Sequence, residues 1–271
     1  MQAARLPARR GIFWLIAGFR LYRNNPPLLT AVTLGYLLGM QLPLILLPFI
    51  GPFLLPLLLP MLTLVVGNAA RMAEREQMRP EGLFAHLRAQ RGPLLRLGGI
   101  QLAGAIMLLL LIMLVEGGEL RELNAQDPQT LAVLGRLLLL ATPLLLAFWF
   151  APFLVGWDCV APVKAVFFSF VAAWRNWRAF LAYTAGLALV AVLAPGLLLI
   201  LAGSLSPSLL NILFVVVRVL LLFVLAPVLS ASVYVSYRDV FHARPGDEAL
   251  PAGEGDERDE DEAGEGDAAH R

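Results

Sequence analysis

The chain has 271 residues, of which 59% are hydrophobic and only 15% are charged, and its formal net charge at pH 7 is +1. A soluble domain averages about 45–50% apolar and about 25% charged residues, so this composition excludes an ordinary water-soluble enzyme or binding domain. With one cysteine, Cys159, the chain cannot form an intramolecular disulfide.

A basic segment that also carries aromatic residues occurs near the start of the chain and recurs twice. The three segments, called the leaders below, are residues 13–23, 84–96 and 167–178. Helices of this composition lie in the headgroup layer of a membrane, because arginine stems reach the phosphates while aromatic rings enter the acyl boundary. Each leader precedes two long apolar runs, so the sequence predicts three copies of one unit in parallel orientation.

The six apolar runs are each long enough to cross a bilayer, since about 20 residues at 1.5 Å each span a hydrocarbon core about 30 Å thick. None of them alternates apolar with polar residues as membrane strands do. The sequence therefore predicts an all-α polytopic membrane protein with six transmembrane helices in three hairpins, each preceded by a basic interfacial amphipathic helix. The predicted spans are residues 27–47, 52–70, 97–115, 131–155, 179–202 and 210–234.

The predicted organisation has three parts. Residues 1–26 form a cytoplasmic N-terminus and interfacial helix, and residues 27–236 form the six-helix transmembrane domain. Cytoplasmic interfacial segments interrupt that domain near 80–96 and 162–178. Residues 237–271 form an acidic, disordered cytoplasmic tail, because a segment this rich in charge buries too little apolar surface to offset its ordering entropy.

The distribution of basic residues predicts the orientation. Before the tail, every arginine and lysine except Arg121, Arg136 and Arg218 falls in the segments that this topology places inside. Short loops rich in arginine and lysine stay on the cytoplasmic side, so we expect both termini in the cytoplasm. All five tryptophans also fall at or near the inner face, where their amphipathic rings suit the headgroup layer.

The tail itself has two interpretations. Residues 245–271 carry eleven acids, so the near-neutral total conceals a basic membrane domain and an acidic tail. The tail either acts as a solvated solubilising segment or shields the basic inner surface from anionic lipid or from a partner protein.

Arginines of the leaders are the candidate contacts for lipid headgroups. One interpretation is that the leaders anchor the inner loops to the membrane, and the other is that they bind anionic headgroups, with each arginine contributing about 1 kcal/mol. The expected partners are membrane lipids and an unknown membrane protein, since the flanking spans explain the basic segments better than nucleic acid does. The candidate residues are Arg20, Arg23, Arg88, Arg91, Arg175 and Arg178.

Polar residues inside the predicted spans are few. No Asp, Glu or His occupies the middle of a span, which weighs against an ion-coupled carrier. The candidate intramembrane polar site consists of Arg136, Arg218, Gln41 and Gln101. It could form a cationic outer vestibule for an anionic solute.

A structural role explains the same two arginines without transport. Arg136 could instead snorkel to the surface or pair with a glutamate at position 116, 119 or 122. Arg218 could instead contact backbone carbonyls or Gln41.

Motifs that carry chemistry are absent from the sequence. There is no G-x-x-x-x-G-K-[ST] loop, no H-E-x-x-H, no G-x-S-x-G and no C-x-x-C. The three histidines, His86, His242 and His270, have no partner at metal-ligand spacing. We therefore expect a non-catalytic protein without a cofactor, which organises lipid or partner proteins at the cytoplasmic leaflet. The alternative is an uncoupled channel or carrier for a small or anionic solute.

Several short motifs also carry a family resemblance. They are Ala8-Arg9-Arg10-Gly11, Trp14-Leu15, Gly18-Phe19-Arg20-Leu21, Arg23-Asn24, Pro26, Pro162, Ser169-Phe170 and Arg175-Asn176-Trp177. With these motifs the chain, apart from its tail, resembles an uncharacterised family of bacterial six-span inner-membrane proteins. It is more distantly similar to the membrane domain found beside some glycerophosphodiester phosphodiesterases, although no phosphodiesterase domain is present. The resemblance implies a fold and an inner-membrane location but no established activity.

Overall fold

The computed structural model describes residues 3–76, 80–115 and 128–242. Over those ranges the chain is almost entirely helical and has no β-strand. Of the predicted tail, residues 237–241 belong to the last helix, whereas the part beyond residue 242 and the three glutamates proposed as partners of Arg136 lie outside the described residues. The α-helices are α1 (Arg9–Asn24), α2 (Pro26–Leu46), α3 (Gly51–Arg75), α4 (Arg91–Val115), α5 (Pro128–Trp149), α6 (Ala151–Gly156), α7 (Pro162–Arg175), α8 (Trp177–Ala188), α9 (Ala194–Leu205), α10 (Pro207–Leu220) and α11 (Ala226–Phe241).

Six helical segments of the described chain are long and apolar enough to cross a membrane, which confirms the six predicted spans and the all-α class. In the last two, a π turn joins the consecutive helices, at Leu189–Leu193 and at Leu221–Leu225. The segments are Pro26–Leu46, Gly51–Arg75, Arg91–Val115, Ala132–Gly156, Trp177–Leu205 and Pro207–Phe241.

The last segment is longer than a bilayer requires. Its 35 residues rise about 52 Å at 1.5 Å per residue, which exceeds a hydrocarbon core of about 30 Å by about 20 Å. The polar residues of this segment concentrate near its end, where Tyr237, Arg238 and Asp239 follow one another. The excess length therefore lies at that end of the bundle, which we call the charged end.

Helix α1 packs lengthwise against this extension. Near its start, α1 contacts Asp239 through Arg10. Farther along, Gly18 contacts Ser232, and Tyr22 bonds to the Phe223 carbonyl, so α1 runs antiparallel to the last segment. It lies parallel to α8 on another side. The first leader is thus helical as predicted, but it is also a packed part of the bundle and not only a helix resting in the headgroup layer.

The residue pattern of α1 explains this packing. Gly11, Trp14, Gly18 and Leu21 are spaced three or four apart and form one buried face. A Cβ atom at Gly11 would overlap the carbonyl of Ala179, so the glycine permits close approach of α1 and α8. The opposite face of α1 keeps apolar side chains exposed, and these suit contact with lipid.

The other two leaders differ from the first. The second is not one amphipathic helix: Phe84 ends a short 3₁₀ helix (Pro80–Phe84), turns follow up to Gln90, and residues 91–96 are the first residues of α4. Most of the third lies in α7, which packs against α5 and α6, and its last two residues, Trp177 and Arg178, begin α8. The leaders therefore share composition but not conformation.

Packing is dense at the charged end and sparse toward the other end. Trp14, Phe150, Phe153 and Leu154 are fully or almost fully buried in one aromatic and aliphatic core. The α2–α3 and α9–α10 hairpins form as predicted, whereas α4 packs mainly on α3, and α5 packs mainly on α7. Away from the charged end, most large apolar side chains of α4, α9 and α10 are exposed, as expected of surfaces that face lipid.

Pro227 explains the π turn in the last segment. Pro227 has no N–H, so the carbonyl of Phe223, four residues earlier, loses its helical donor. The hydroxyl groups of Tyr22 and Thr30 donate to that carbonyl instead, at 3.1 and 3.3 Å. Neighbouring helices thus satisfy the interrupted backbone, as membrane helices with proline require.

Candidate functional site

Asp239 lies at the centre of the contacts between the first and last helices. Its carboxylate is 6% exposed and accepts hydrogen bonds from Arg10 through two guanidinium nitrogens, with Arg10 Nε at 2.9 Å. The indole Nε1 of fully buried Trp14 also donates to it, at 2.8 Å. Charge-assisted and bidentate bonds of this kind are among the stronger ones in proteins. They fix the register of α1 against α11.

Two further acids at the charged end are also engaged inside the protein. Glu74 of α3 pairs with Arg238 and accepts a hydrogen bond from Tyr234. Asp158, after α6, accepts a hydrogen bond from the Tyr237 hydroxyl. Both acids therefore join α11 to neighbouring elements.

His242 completes the surroundings of Asp158. Its Nε2 lies 3.7 Å from the carboxylate, within ion-pair distance when the histidine is protonated. The described chain has five acids. Glu74, Asp158 and Asp239, whose side chains are buried or half-buried, bond to other residues of the protein, and Glu76 and Glu81 are exposed.

Asn68 of α3 holds the second leader. It is 3% exposed, and its amide nitrogen donates to the carbonyls of Leu83 and Ala85 at 2.9 and 3.1 Å. Its Oδ1 accepts a hydrogen bond from Trp157 Nε1 at 2.9 Å, and the guanidinium of Arg71 lies 5.3 Å from the centre of the same indole ring. The asparagine therefore stabilises the turn that carries His86 and Arg88.

Asn176 has an equivalent role for the N-terminal segment. This residue, between α7 and α8, is 1% exposed. Its Oδ1 accepts from the Leu6 N–H at 2.8 Å, and its amide nitrogen donates to the Ala4 and Ala172 carbonyls, both at 2.9 Å. The Arg175-Asn176 pair is visible in the sequence but predicts no role for the asparagine, because two of its three partners are backbone groups about 170 residues away.

The arginines proposed as lipid contacts all face outward. Because the buried acids bond inside the protein, they leave the leaders' guanidinium groups available to the surroundings, although Arg178 also lies 5.5 Å from the ring centre of Trp177. The exposed residues are Arg20, Arg23, Arg88, Arg91, Arg175 and Arg178.

The four residues of the proposed intramembrane polar site lie on four different helices. Arg136 is on α5, Arg218 on α10, Gln41 on α2 and Gln101 on α4. The first three are exposed and Gln101 is half-buried. None of them lines either of the two cavities described next.

Two cavities lie beside the second and third leaders. One, of about 220 Å³, is lined by basic and small residues: Asn68, Arg71, Met72, Arg75, Gly82, Ala85 and His86. The other, of about 490 Å³, lies between α4 and the first turn of α7, and we call it the Arg96 groove. It is lined by Arg96, Gly99, Ile100, Ala103, Ala161, Pro162 and Val163.

The described part of the chain contains no group of three or more His, Cys, Asp or Glu side chains placed to hold a metal ion.

Six long apolar helices and a charged end in which the buried acids are paired define a polytopic α-helical membrane protein. No family model matches the sequence, and no solved structure matches it. These comparisons add no support to the resemblance to phosphodiesterase-associated membrane domains.

Similarity to one relative shows which family the chain belongs to. The chain is 33% identical over 270 residues to a protein of Burkholderia thailandensis named "Probable inner membrane protein", and the match covers 93% of this chain and 98% of the relative. The chain therefore belongs to the same family as that protein and is a multi-pass protein of the inner membrane.

Proposed function

We propose that this protein is non-catalytic and organises anionic phospholipid at the cytoplasmic leaflet of the inner membrane. The observation that carries the proposal is the division of charge at the charged end. Glu74, Asp158 and Asp239 bond to residues inside the protein, while the leader arginines face outward. Such a surface attracts anionic headgroups, with each arginine near the membrane contributing about 1 kcal/mol.

The proposal includes an orientation. The described residues at the charged end include the starts of α1, α4 and α8 and the ends of α3, α7 and α11, and these carry nine of the fifteen arginines in the described residues. Because segments rich in arginine stay on the cytoplasmic side, the charged end faces the cytoplasm together with both termini. The leaders then meet the leaflet that carries the attractive surface potential for basic residues.

The two described cavities fit this role. Both cavities described above contain an arginine and lie beside a leader, whereas Arg136, Arg218, Gln41 and Gln101 contribute to neither. An uncoupled channel or carrier for an anionic solute would use a polar path through the bundle. Transport therefore remains the alternative, and its test is anion flux in liposomes.

Lipid retention tests the proposal directly. The full chain is purified in native nanodiscs, and the bound lipids are identified by mass spectrometry for the native protein and for a triple variant, Arg23→Gln, Arg88→Gln and Arg175→Gln. The triple variant is expected to retain less anionic lipid. The matched control, Arg136→Gln with Arg218→Gln, changes exposed arginines outside the leaders and is expected to retain the native amount.

The outcomes separate the alternatives. Equal anionic lipid in the native protein and the triple variant overturns the lipid role. Loss of anion flux in the control variant, with lipid unchanged, supports the carrier instead. A protein that co-purifies with the native chain and is lost from the triple variant, with the lipids unchanged, identifies protein organisation as the role of the leaders.

A further inference from the structure

The Arg96 groove has the composition of a site for one lipid molecule. On α4, Arg96, Gly99, Ile100 and Ala103 are spaced three or four residues apart and therefore lie on one face of the helix. The charged residue stands at the start of this face, and the apolar residues continue from it along the span. Leu94 and Leu97, on the other side of α4, are fully buried, so the groove face points away from the core.

The mouth of the groove is positively charged. The Arg96 side chain is exposed and makes no ion pair with an acid in the described residues. The first turn of α7, which begins at Pro162, forms the opposite wall, and the N-terminus of a helix favours negative charge. Lys164, also exposed, lies in the same turn. No acid lines the groove.

The floor of the groove is open enough to accept an acyl chain. A Cβ atom placed on Gly99 would meet no heavy atom within 4 Å. The cavity of about 490 Å³ is lined by apolar side chains apart from Arg96. The position of Arg96, five residues after the start of α4, puts it about 8 Å along the helix, near the depth of a headgroup, if the span begins at the interface.

We infer that the Arg96 groove binds one anionic phospholipid, with its phosphate at Arg96 and the first turn of α7 and one acyl chain along Gly99, Ile100 and Ala103. The inference deepens the proposed function by assigning a specific site to the lipid, at residues outside the six leader arginines considered above. Arg96 lies in the second leader by sequence. Its place in a groove, however, distinguishes it from the arginines on the open surface.

Charge favours lipid over the two other occupants that could cover an apolar face. A second copy of this chain would bring the same positive groups together at the groove mouth. The acidic tail would match the charge, but its Gly, Asp and Glu residues would leave the apolar floor in contact with water or lipid. A phospholipid satisfies both the positive mouth and the apolar floor.

Filling the groove provides the test. In Gly99→Leu the added Cβ meets no heavy atom within 4 Å, so the side chain enters the open space of the groove, and leucine is a better helix former than glycine. Gly35→Leu in α2 is the matched control, because a Cβ there also meets nothing within 4 Å. The probe is phosphatidylglycerol with a photoreactive group on one acyl chain. It is reconstituted with the full chain in nanodiscs, and the labelled peptides are identified by mass spectrometry.

The expected result is labelling of residues 96–103 and 161–163 in the native protein and in Gly35→Leu, with most of that labelling lost in Gly99→Leu. Arg96→Gln is expected to weaken probe binding about fivefold, the factor that corresponds to one arginine near a membrane surface. Inorganic phosphate is added as a competitor. Loss of labelling at millimolar phosphate would show that the groove recognises a free anion and would overturn the lipid assignment.

Other outcomes also overturn the inference. Labelling of the groove peptides that Gly99→Leu leaves unchanged excludes the groove as the site. A dimer that Gly99→Leu dissociates identifies a second copy as the occupant. If the groove fails these tests while the triple variant of the leaders still loses anionic lipid, the proposed function stands and only the site is wrong.

Discussion

Arg10 and Asp239 join the first helix to the last across 229 positions of sequence. The pair is mostly buried, since the two side chains are 14% and 6% exposed. The carboxylate would be costly to bury alone, and Arg10 together with Trp14 supplies its hydrogen bonds. The charged end is therefore organised around α1, which comes before the first span.

Asp239→Asn is expected to destabilise the protein, because the neutral amide ends the ion pair with Arg10 and cannot accept all the hydrogen bonds that Arg10 and Trp14 donate to the carboxylate. Removing one partner of a buried ion pair costs about 3 kcal/mol or more, which corresponds to a fall in Tm of roughly 5–10 °C for a chain of this size. Heating the detergent-solubilised protein and measuring the fraction that elutes as a single species gives the shift. The exposed Arg9→Gln is the control and is expected to leave Tm within a degree or two of native. An equal Tm for both variants would show that α1 does not depend on this pair.

Gly11→Ala tests the contact between α1 and α8. A Cβ at this position overlaps the Ala179 carbonyl and the Tyr183 backbone nitrogen, and backbone atoms cannot yield as a flexible side chain can. The two helices must separate, so Tm is expected to fall, with overpacking costing about 1–3 kcal/mol. The control is Gly92→Ala, where the added Cβ meets nothing within 4 Å and where alanine is the better helix former. A native Tm for Gly11→Ala would contradict the close approach of the helices.

The class of fold could be predicted because its signal is local. A run of about 20 apolar residues is sufficient to indicate a span, and all six predicted runs are long apolar helices in the structure. Exposure of the leader arginines is similarly a local property, since a guanidinium without a partner remains at the surface. Composition alone therefore predicts both the spans and the exposed arginines, because neither depends on which helices pack together.

The polar contacts of the charged end could not be predicted in the same way. Asp239, Asn68 and Asn176 bind groups that are distant in sequence, and in several cases the partner is a backbone carbonyl or N–H that any residue could supply. Composition also failed to distinguish the conformations of the leaders. Asn68 donates to the carbonyls of Leu83 and Ala85, and the second leader therefore begins with the end of a 3₁₀ helix and turns before it enters α4, although its residues resemble those of the helical first leader.

The carbonyl of Phe223 is expected to show non-additive behaviour. Tyr22→Phe and Thr30→Val each remove one of its two hydroxyl donors, and each alone is expected to cost little because the other donor remains. The double variant leaves the carbonyl without a hydroxyl donor beside Pro227, and an unsatisfied polar group in an apolar environment costs about 1–3 kcal/mol. A double-mutant cycle on Tm measures the excess. Strict additivity of the two single variants would show that the hydroxyls do not share this role.

Cys159 tests the proposed orientation, because it is the only cysteine of the chain and is exposed beside Asp158 at the charged end. With the charged end in the cytoplasm, a membrane-impermeant maleimide is expected to label Cys159 in inverted inner-membrane vesicles and to leave it unlabelled in intact spheroplasts. Ser208→Cys in a Cys159→Ser background places the thiol at the start of α10, near the turn after α9, and is expected to show the reverse pattern. Both thiols lie on exposed residues, so a difference in labelling reports the side of the membrane. Labelling of Cys159 in spheroplasts would show that the topology is the reverse of the one proposed, with the leader arginines against the outer leaflet of the inner membrane.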